Sequence, residues 1–194
     1  MAVDLEGGWE EHHRRFVEKK MDLSWGQDPS VAAVYCSDSR LNFCETFSLD
    51  AQGSVFEVRN VCGLFTQDAQ AALSYALCHL KPRRVVFLHH TGCGGYLSLF
   101  SGDVECEITD YLFSHGCRNL KEYVESQDIP CGEVFQVMVE EGLRRQLNLF
   151  LDFMERHFNG VPEGVEVLGL VYEVESDSVY LVPDKVGGKR MYLK

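Results

Sequence analysis

A chain of 194 residues with 45% hydrophobic content can bury one substantial core, and a single domain over residues 1–194 is the simplest expectation. Its formal charge of −12 argues against nucleic acid or an anionic membrane surface as a partner, because both require a positive face. No apolar run reaches the roughly 18–20 residues that cross a bilayer, and Met1-Ala2-Val3-Asp4-Leu5-Glu6 lacks the basic and apolar regions of a secretory signal, so a cytoplasmic protein is expected.

Residues 1–28 read as an N-terminal arm. Within it Trp9 to Met21 is amphipathic and charged, a helix suited to lie across the outside of the fold or across a partner subunit. The apolar run Val31-Ala32-Ala33-Val34-Tyr35 predicts a buried strand over 31–36, delivering Cys36-Ser37-Asp38-Ser39-Arg40 at its end. A second short strand, Val55 to Val58, ends at Arg59-Asn60. A helix over 67–80 follows, with Ala71, Ala72, Tyr75, Ala76 and Leu80 near helical spacing, and Pro82 closes it. A strand over 84–89 then opens His89-His90-Thr91-Gly92-Cys93-Gly94-Gly95. The segment 98–160 reads as helical, with helices over 107–126 and 133–158; Leu143, Leu147, Phe150, Leu151 and Met154 form one apolar face of the second. Val165 to Val174 is a final core strand and Ser178 to Val182 a short edge strand. Strands alternating with helices predict an α/β fold, a mostly parallel central sheet flanked by helices.

The eight cysteines, at 36, 44, 62, 78, 93, 106, 117 and 131, form no CxxC pair, and reduced thiols are expected in a well-cored chain without an export signal. Cys78 falls inside the 67–80 helix as a small core residue, and Cys44, Cys106, Cys117 and Cys131 show no pairing pattern. Cys36 and the His90-x-x-Cys93 cluster both stand at strand ends, where open α/β sheets bind ligands. Two thiolates and one imidazole suit zinc and leave a fourth tetrahedral position open, the pattern of a catalytic site. Two negative sulfurs neutralise the metal, so a water on it ionises at higher pH than in a three-histidine site. Asp38 and Arg40 follow Cys36 at two-residue steps, and in an extended segment all three point to one side. A two-pronged pair with Arg40 keeps Asp38 ionised and off the metal; released, Asp38 becomes a fourth ligand and closes the site.

With Cys36-Ser37-Asp38-Ser39-Arg40, Val58-Arg59-Asn60-Val61-Cys62-Gly63 and His90-Thr91-Gly92-Cys93-Gly94-Gly95 in this order, the chain resembles the β-class carbonic anhydrases. The resemblance is strong over 31–97, includes Leu170-Val171-Tyr172-Glu173-Val174 as the last core strand, and is weak over 98–160. It implies a parallel sheet with an antiparallel edge strand, zinc on Cys36, His90 and Cys93, and Asp38 with Arg40 as the catalytic dyad. It also implies reversible hydration of carbon dioxide to bicarbonate by attack of a zinc-bound hydroxide, and a homodimer or assembly of dimers with the N-terminal helix wrapped on the neighbour. His89-His90 and the Thr91-Gly92 spacer, with Leu41-Asn42-Phe43-Cys44 in place of a proline-rich continuation, resemble the compact branch of archaea and some bacteria. That branch also resembles hydrolases of carbonyl sulfide and carbon disulfide, the alternative substrates at the same site. A non-catalytic homologue whose zinc is closed by Asp38 is the third reading.

Around these residues the plainer roles are as follows. His89 alternates away from His90 and reads as a packed core histidine. Arg59-Asn60 serves either the fold or the site wall. Gly92, Gly94 and Gly95 permit a tight turn with amides turned to an anion. His12-His13, His115 and His157 read as solvated helix or surface residues, and Cys62 as a pocket wall that does not react.

Overall fold

All six residues of β1, Val31–Cys36, are buried, as expected of a strand with neighbours on both sides and layers on both faces. The computed structural model of the chain describes residues 4–18, 24, 26–49, 52–101, 107–183 and 185–193. Parallel to β1 run β2 (Val55–Asn60) on one side and β3 (Arg84–His90) on the other. Next comes β4 (Glu166–Glu173), still parallel, then β5 (Ser178–Leu181), antiparallel to β4, and β6 (Met191–Tyr192), antiparallel to β5. The sheet order is β2-β1-β3-β4-β5-β6. This is the expected mostly parallel sheet: among the described strands β5 alone runs against the others, as the resemblance implied, and β6 adds a short outer strand in the direction of β1–β4.

Seven helices are seen among the described residues: α1 (Leu5–Glu18), α2 (Phe43–Thr46), α3 (Gln67–Tyr75), α4 (Gly94–Ser101), α5 (Glu107–Leu112), α6 (Leu120–Glu125) and α7 (Val134–Phe158). Ala32, Val34, Val85 and Phe87 pack one sheet face against Leu73 of α3 and Leu143, Phe150 and Met154 of α7. Burying each such leucine or phenylalanine contributes about 1.5–3 kcal/mol. The other face, with Val31, Ala33, Val86, Leu88 and Leu170, meets Phe43 of α2. There Phe43, Phe47, Leu168 and Leu181 border a groove of about 370 Å³. No helix among the described residues is long and apolar enough to cross a membrane.

Several expectations change. The 67–80 helix starts as α3 but finishes as a π-helical turn, Ala76–Leu80. Ala69, Leu73, Ala76 and Leu77, at i, i+4, i+7 and i+8, form the buried face, so Cys78 falls off it and is exposed, not a core residue. Tyr75 also lies off that face and is exposed, Leu73 taking the core position. The helix expected over 107–126 breaks at Phe113–Cys117, where His115 leaves helical geometry and Gly116 has φ 88°. Asn119, at φ 55°, then restarts the chain as α6. On α7 Leu143, Phe150 and Met154 are buried as expected, whereas Leu151 faces out. The arm helix starts earlier than expected, at Leu5, and buries none of its residues. Residues 19–21 of its expected end, and Cys106, lie outside the described residues.

Candidate metal centre

Cys36 and His90 are the last residues of two adjacent parallel strands. By strand alternation Cys36 continues the face of Ala32 and Val34, and His90 that of Val86 and Leu88. They converge from opposite faces because both stand where the sheet ends. Cys93 is brought up to them by a tight turn in which Gly92 takes φ 62°. It immediately precedes α4, and its carbonyl accepts the Leu97 amide at 2.8 Å. A helix N-terminus favours the thiolate there.

The ligand atoms of Cys36, His90 and Cys93 lie within 4.8 Å of one another, and all three residues are buried. Cys36 Sγ and Cys93 Sγ are 4.0 Å apart. Two sulfurs each about 2.3 Å from a tetrahedral zinc stand about 3.8 Å apart, so the spacing fits. His90 Nδ1 donates to the Thr91 carbonyl at 2.9 Å. That tautomer leaves the lone pair on Nε2, a buried atom without a hydrogen-bond partner in the protein. The donor set therefore suits a zinc ion. Without a metal, the hydrogen bond with Cys93 and burial push the Cys36 thiol up to about 12. For Cys93 the contact with Cys36 lowers the pKa, but the contact with Cys62 and burial outweigh it and carry the thiol to about 12.

Asp38 and Arg40 are paired as expected, though not along an extended segment. The chain turns after Cys36, with Leu41 N donating to the Asp38 carbonyl at 3.1 Å. That turn returns Arg40 to Asp38: Nε donates to Oδ1 at 2.9 Å and Nη2 to Oδ2 at 2.7 Å. The Arg40 amide adds a bond to Oδ1 at 2.9 Å, and Nη2 also donates to the Gly92 carbonyl at 3.0 Å. The Arg40 hydrogen bonds hold the Asp38 carboxyl well below the usual carboxylate range. Asp38 Oδ2 lies 3.8 Å from His90 Nε2, so the carboxylate overlooks the triad.

Other residues hold this geometry. Arg59 Nη2 donates to the carbonyls of Cys36, Asp38 and Leu41 at 3.3, 3.1 and 3.2 Å, and its guanidinium lies 4.7 Å from the Tyr35 ring centre. Asn60 exchanges two hydrogen bonds with the Leu64 backbone, at 2.7 and 2.8 Å. Thr91 Oγ1 donates to Glu175 at 2.6 Å and accepts from Val174 N at 3.0 Å, tying the ligand loop to the end of β4. His89, outside the triad, lies 3.3 Å from both the Gly63 carbonyl and Tyr96 Oη. Burial depresses the His89 pKa to about 4, so it is a neutral core histidine. Buried Gln146 of α7 accepts from Phe65 N and donates to the His115 carbonyl, both at 2.8 Å. Nothing in local sequence marks Glu175 or Gln146, whose partners are 84 and 81 residues away.

Residues 31–179 match the family described as carbonic anhydrase. The chain belongs to the β-class carbonic anhydrase family. A carbonic anhydrase of Saccharomyces cerevisiae is 28% identical over 166 residues, covering 77% of this chain and 72% of the yeast protein. A tetrameric β-carbonic anhydrase of Sordaria macrospora superposes with a TM-score of 0.70 at 20% identity, covering 95% of this chain and 92% of the other. The Coccomyxa β-carbonic anhydrase, solved with acetazolamide, gives 0.73 at 22% identity, covering 96% and 90%. These structural likenesses extend the shared fold into the 98–160 segment, where sequence resemblance is weak.

Proposed function

We propose that the chain is a zinc-dependent carbonic anhydrase that interconverts carbon dioxide and bicarbonate, with Cys36, His90 and Cys93 as zinc ligands. The observation that carries this reading is the buried two-sulfur, one-imidazole triad with a carboxylate fixed above it. Zinc, when bound, would supply the Lewis acidity that lowers the pKa of a water far below that of bulk water, into the mildly alkaline range for a two-thiolate site. The rest of the work falls to the protein. Asp38, kept anionic by Arg40, offers Oδ2 as a hydrogen-bond acceptor that orients the nucleophile's proton away from the substrate. Arg40, by holding both carboxylate oxygens, keeps Asp38 from collapsing onto the triad. Arg59 fixes the turn that carries both Cys36 and Asp38. Buried Cys62, Leu64, Tyr96 and Leu112 surround the triad with apolar matter that suits a small, uncharged, linear substrate.

We further assign the chain to the compact branch of the class, on His89-His90-Thr91-Gly92-Cys93 and on Leu41-Asn42-Phe43-Cys44 without prolines. Its assembly is a homodimer or a set of dimers. Two observations support this: α1 buries none of its residues although Trp9 is 61% exposed, and an apolar groove lies on the sheet face away from α7. We place it in the cytoplasm, where reducing surroundings keep both thiols available to a metal. Carbon dioxide hydration by the zinc-loaded protein tests the function. Turnover of carbonyl sulfide or carbon disulfide without carbon dioxide hydration would replace it by the hydrolase reading.

A further inference from the structure

At this centre Cys93 has two thiol neighbours, Cys36 and Cys62, and the triad uses only the first. Cys62 Sγ lies 3.6 Å from Cys93 Sγ, nearer than Cys36 Sγ at 4.0 Å. Cys62 is buried, yet it is not in the converging set of Cys36, His90 and Cys93. The chain holds it there against local preference. Its backbone has φ 65° and ψ −1°, a left-handed conformation that a non-glycine residue keeps only where its surroundings impose it. A Cβ at position 95 would collide with Cys62 Sγ, so the thiol occupies space that only a glycine leaves open. Both ends of the segment are fixed, by Asn60 on Leu64 and by Gln146 on Phe65.

We propose that Cys62 is the resolving thiol of a peroxide-responsive switch, which joins it to Cys93 as a disulfide and thereby releases the metal. The release rests on the zinc reading above. In the first step the Cys93 thiolate attacks one oxygen of hydrogen peroxide. An S–O bond forms, the O–O bond breaks, and the departing hydroxide takes a proton from solvent. Cys93 is now a sulfenic acid, which condenses with a neighbouring thiol. Cys62 Sγ attacks that sulfur, the S–S bond forms, the S–O bond breaks, and hydroxide leaves with the Cys62 proton as water. Two electrons pass from the two sulfurs to the peroxide, and both its oxygens end as water.

Cys36 is the rival partner, and the geometry favours Cys62. With a metal bound, Cys36 would be engaged as its other thiolate ligand, whereas Cys62 lies off the triad and keeps its thiol for the attack. To reach a bond length of about 2.05 Å the Cys62 and Cys93 sulfurs must approach by about 1.5 Å. Hydrogen peroxide is small and uncharged, and reaches a site built to admit carbon dioxide.

The test uses the full chain as purified, with its zinc content measured first. Hydrogen peroxide is added while a chromogenic chelator reports free zinc, and non-reducing peptide mapping identifies linked cysteines. A Cys62–Cys93 peptide should accumulate in step with zinc release, and a thiol reductant with added zinc should reverse both. In Cys62→Ser, with Cys62→Ala as a second variant, reversal should be lost because Cys93 proceeds to the sulfinic acid. A Cys36–Cys93 link in the wild type, or equally reversible zinc loss in both variants, overturns the switch. A purified chain without zinc overturns the metal reading instead, and mapping of the peroxide-treated wild type then still decides whether Cys62 pairs with Cys93.

Discussion

Arg40 grips both oxygens of Asp38, Nε to Oδ1 at 2.9 Å and Nη2 to Oδ2 at 2.7 Å, while Oδ2 stands 3.8 Å from the lone-pair nitrogen of His90. Removal of the guanidinium leaves Asp38 free to swing onto the metal. Arg40→Ala should keep its zinc and lose about 10–100-fold in activity, the range for residues that orient a metal site from outside. Zinc analysis beside carbon dioxide hydration checks this, and unchanged rates across pH would show that the pair does not govern the site.

Removal of a ligand should act differently. Cys93→Ala should bind zinc far more weakly and be inactive, since the remaining thiolate and imidazole offer two ligands. The same ligands make binding pH-dependent. Both thiols rise to about 12 in the metal-free protein, so they carry protons at neutral pH and zinc must displace two of them. Affinity should therefore fall as pH falls, by up to about 100-fold per pH unit. Competition with a chelator between pH 8 and 6 measures the slope, and a flat profile would contradict the ligand assignment.

Arg59 offers a test of architecture apart from chemistry. It satisfies the carbonyls of Cys36, Asp38 and Leu41 with one nitrogen. Arg59→Ala should lose about 1.5–3 kcal/mol, the range for hydrogen bonds to a charged group, and should weaken zinc retention by loosening the loop. Urea unfolding and metal content, measured together, report the two effects; wild-type values for both would mean that the loop holds itself.

Tyr35 gives an alkaline signature. Burial, and then its hydrogen bond to Glu57 at 2.9 Å, push its pKa to about 12. A tyrosine in an unfolded chain ionises near 10. The folded state thus favours the neutral phenol, so its contribution is fully present below pH 10 and is lost as pH rises through about 12. The loss amounts to about 2–3 kcal/mol. Urea midpoints from pH 9 to 12 should fall less steeply in Tyr35→Phe, and an identical decline would place the alkaline sensitivity elsewhere.

Much of this was legible in the sequence because the motif residues lie at strand ends. An apolar run followed at once by Cys36, and another followed by His90, specify where two side chains leave a parallel sheet, and the short turn to Cys93 leaves little freedom. Side-chain partnerships between distant elements were not legible. Thr91 with Glu175, Gln146 with Phe65 and Cys62 with Cys93 depend on how helices and loops return to the strand ends. Local irregularities also escaped the periodic pattern. The π-helical turn at Ala76–Leu80 and the break at Gly116 interrupt segments through which helical spacing alone continues. The pairing of Asp38 with Arg40 was expected from alternation, yet it arises from a turn.

The most direct test is stopped-flow hydration of carbon dioxide by the zinc-loaded chain across about pH 7–9, a window that brackets ionisation of water on zinc. Turnover that rises with pH, disappears on chelation and returns with zinc is the predicted result. Absence of turnover across that window, with one zinc bound per chain, would contradict the assignment of this centre as a carbonic anhydrase site.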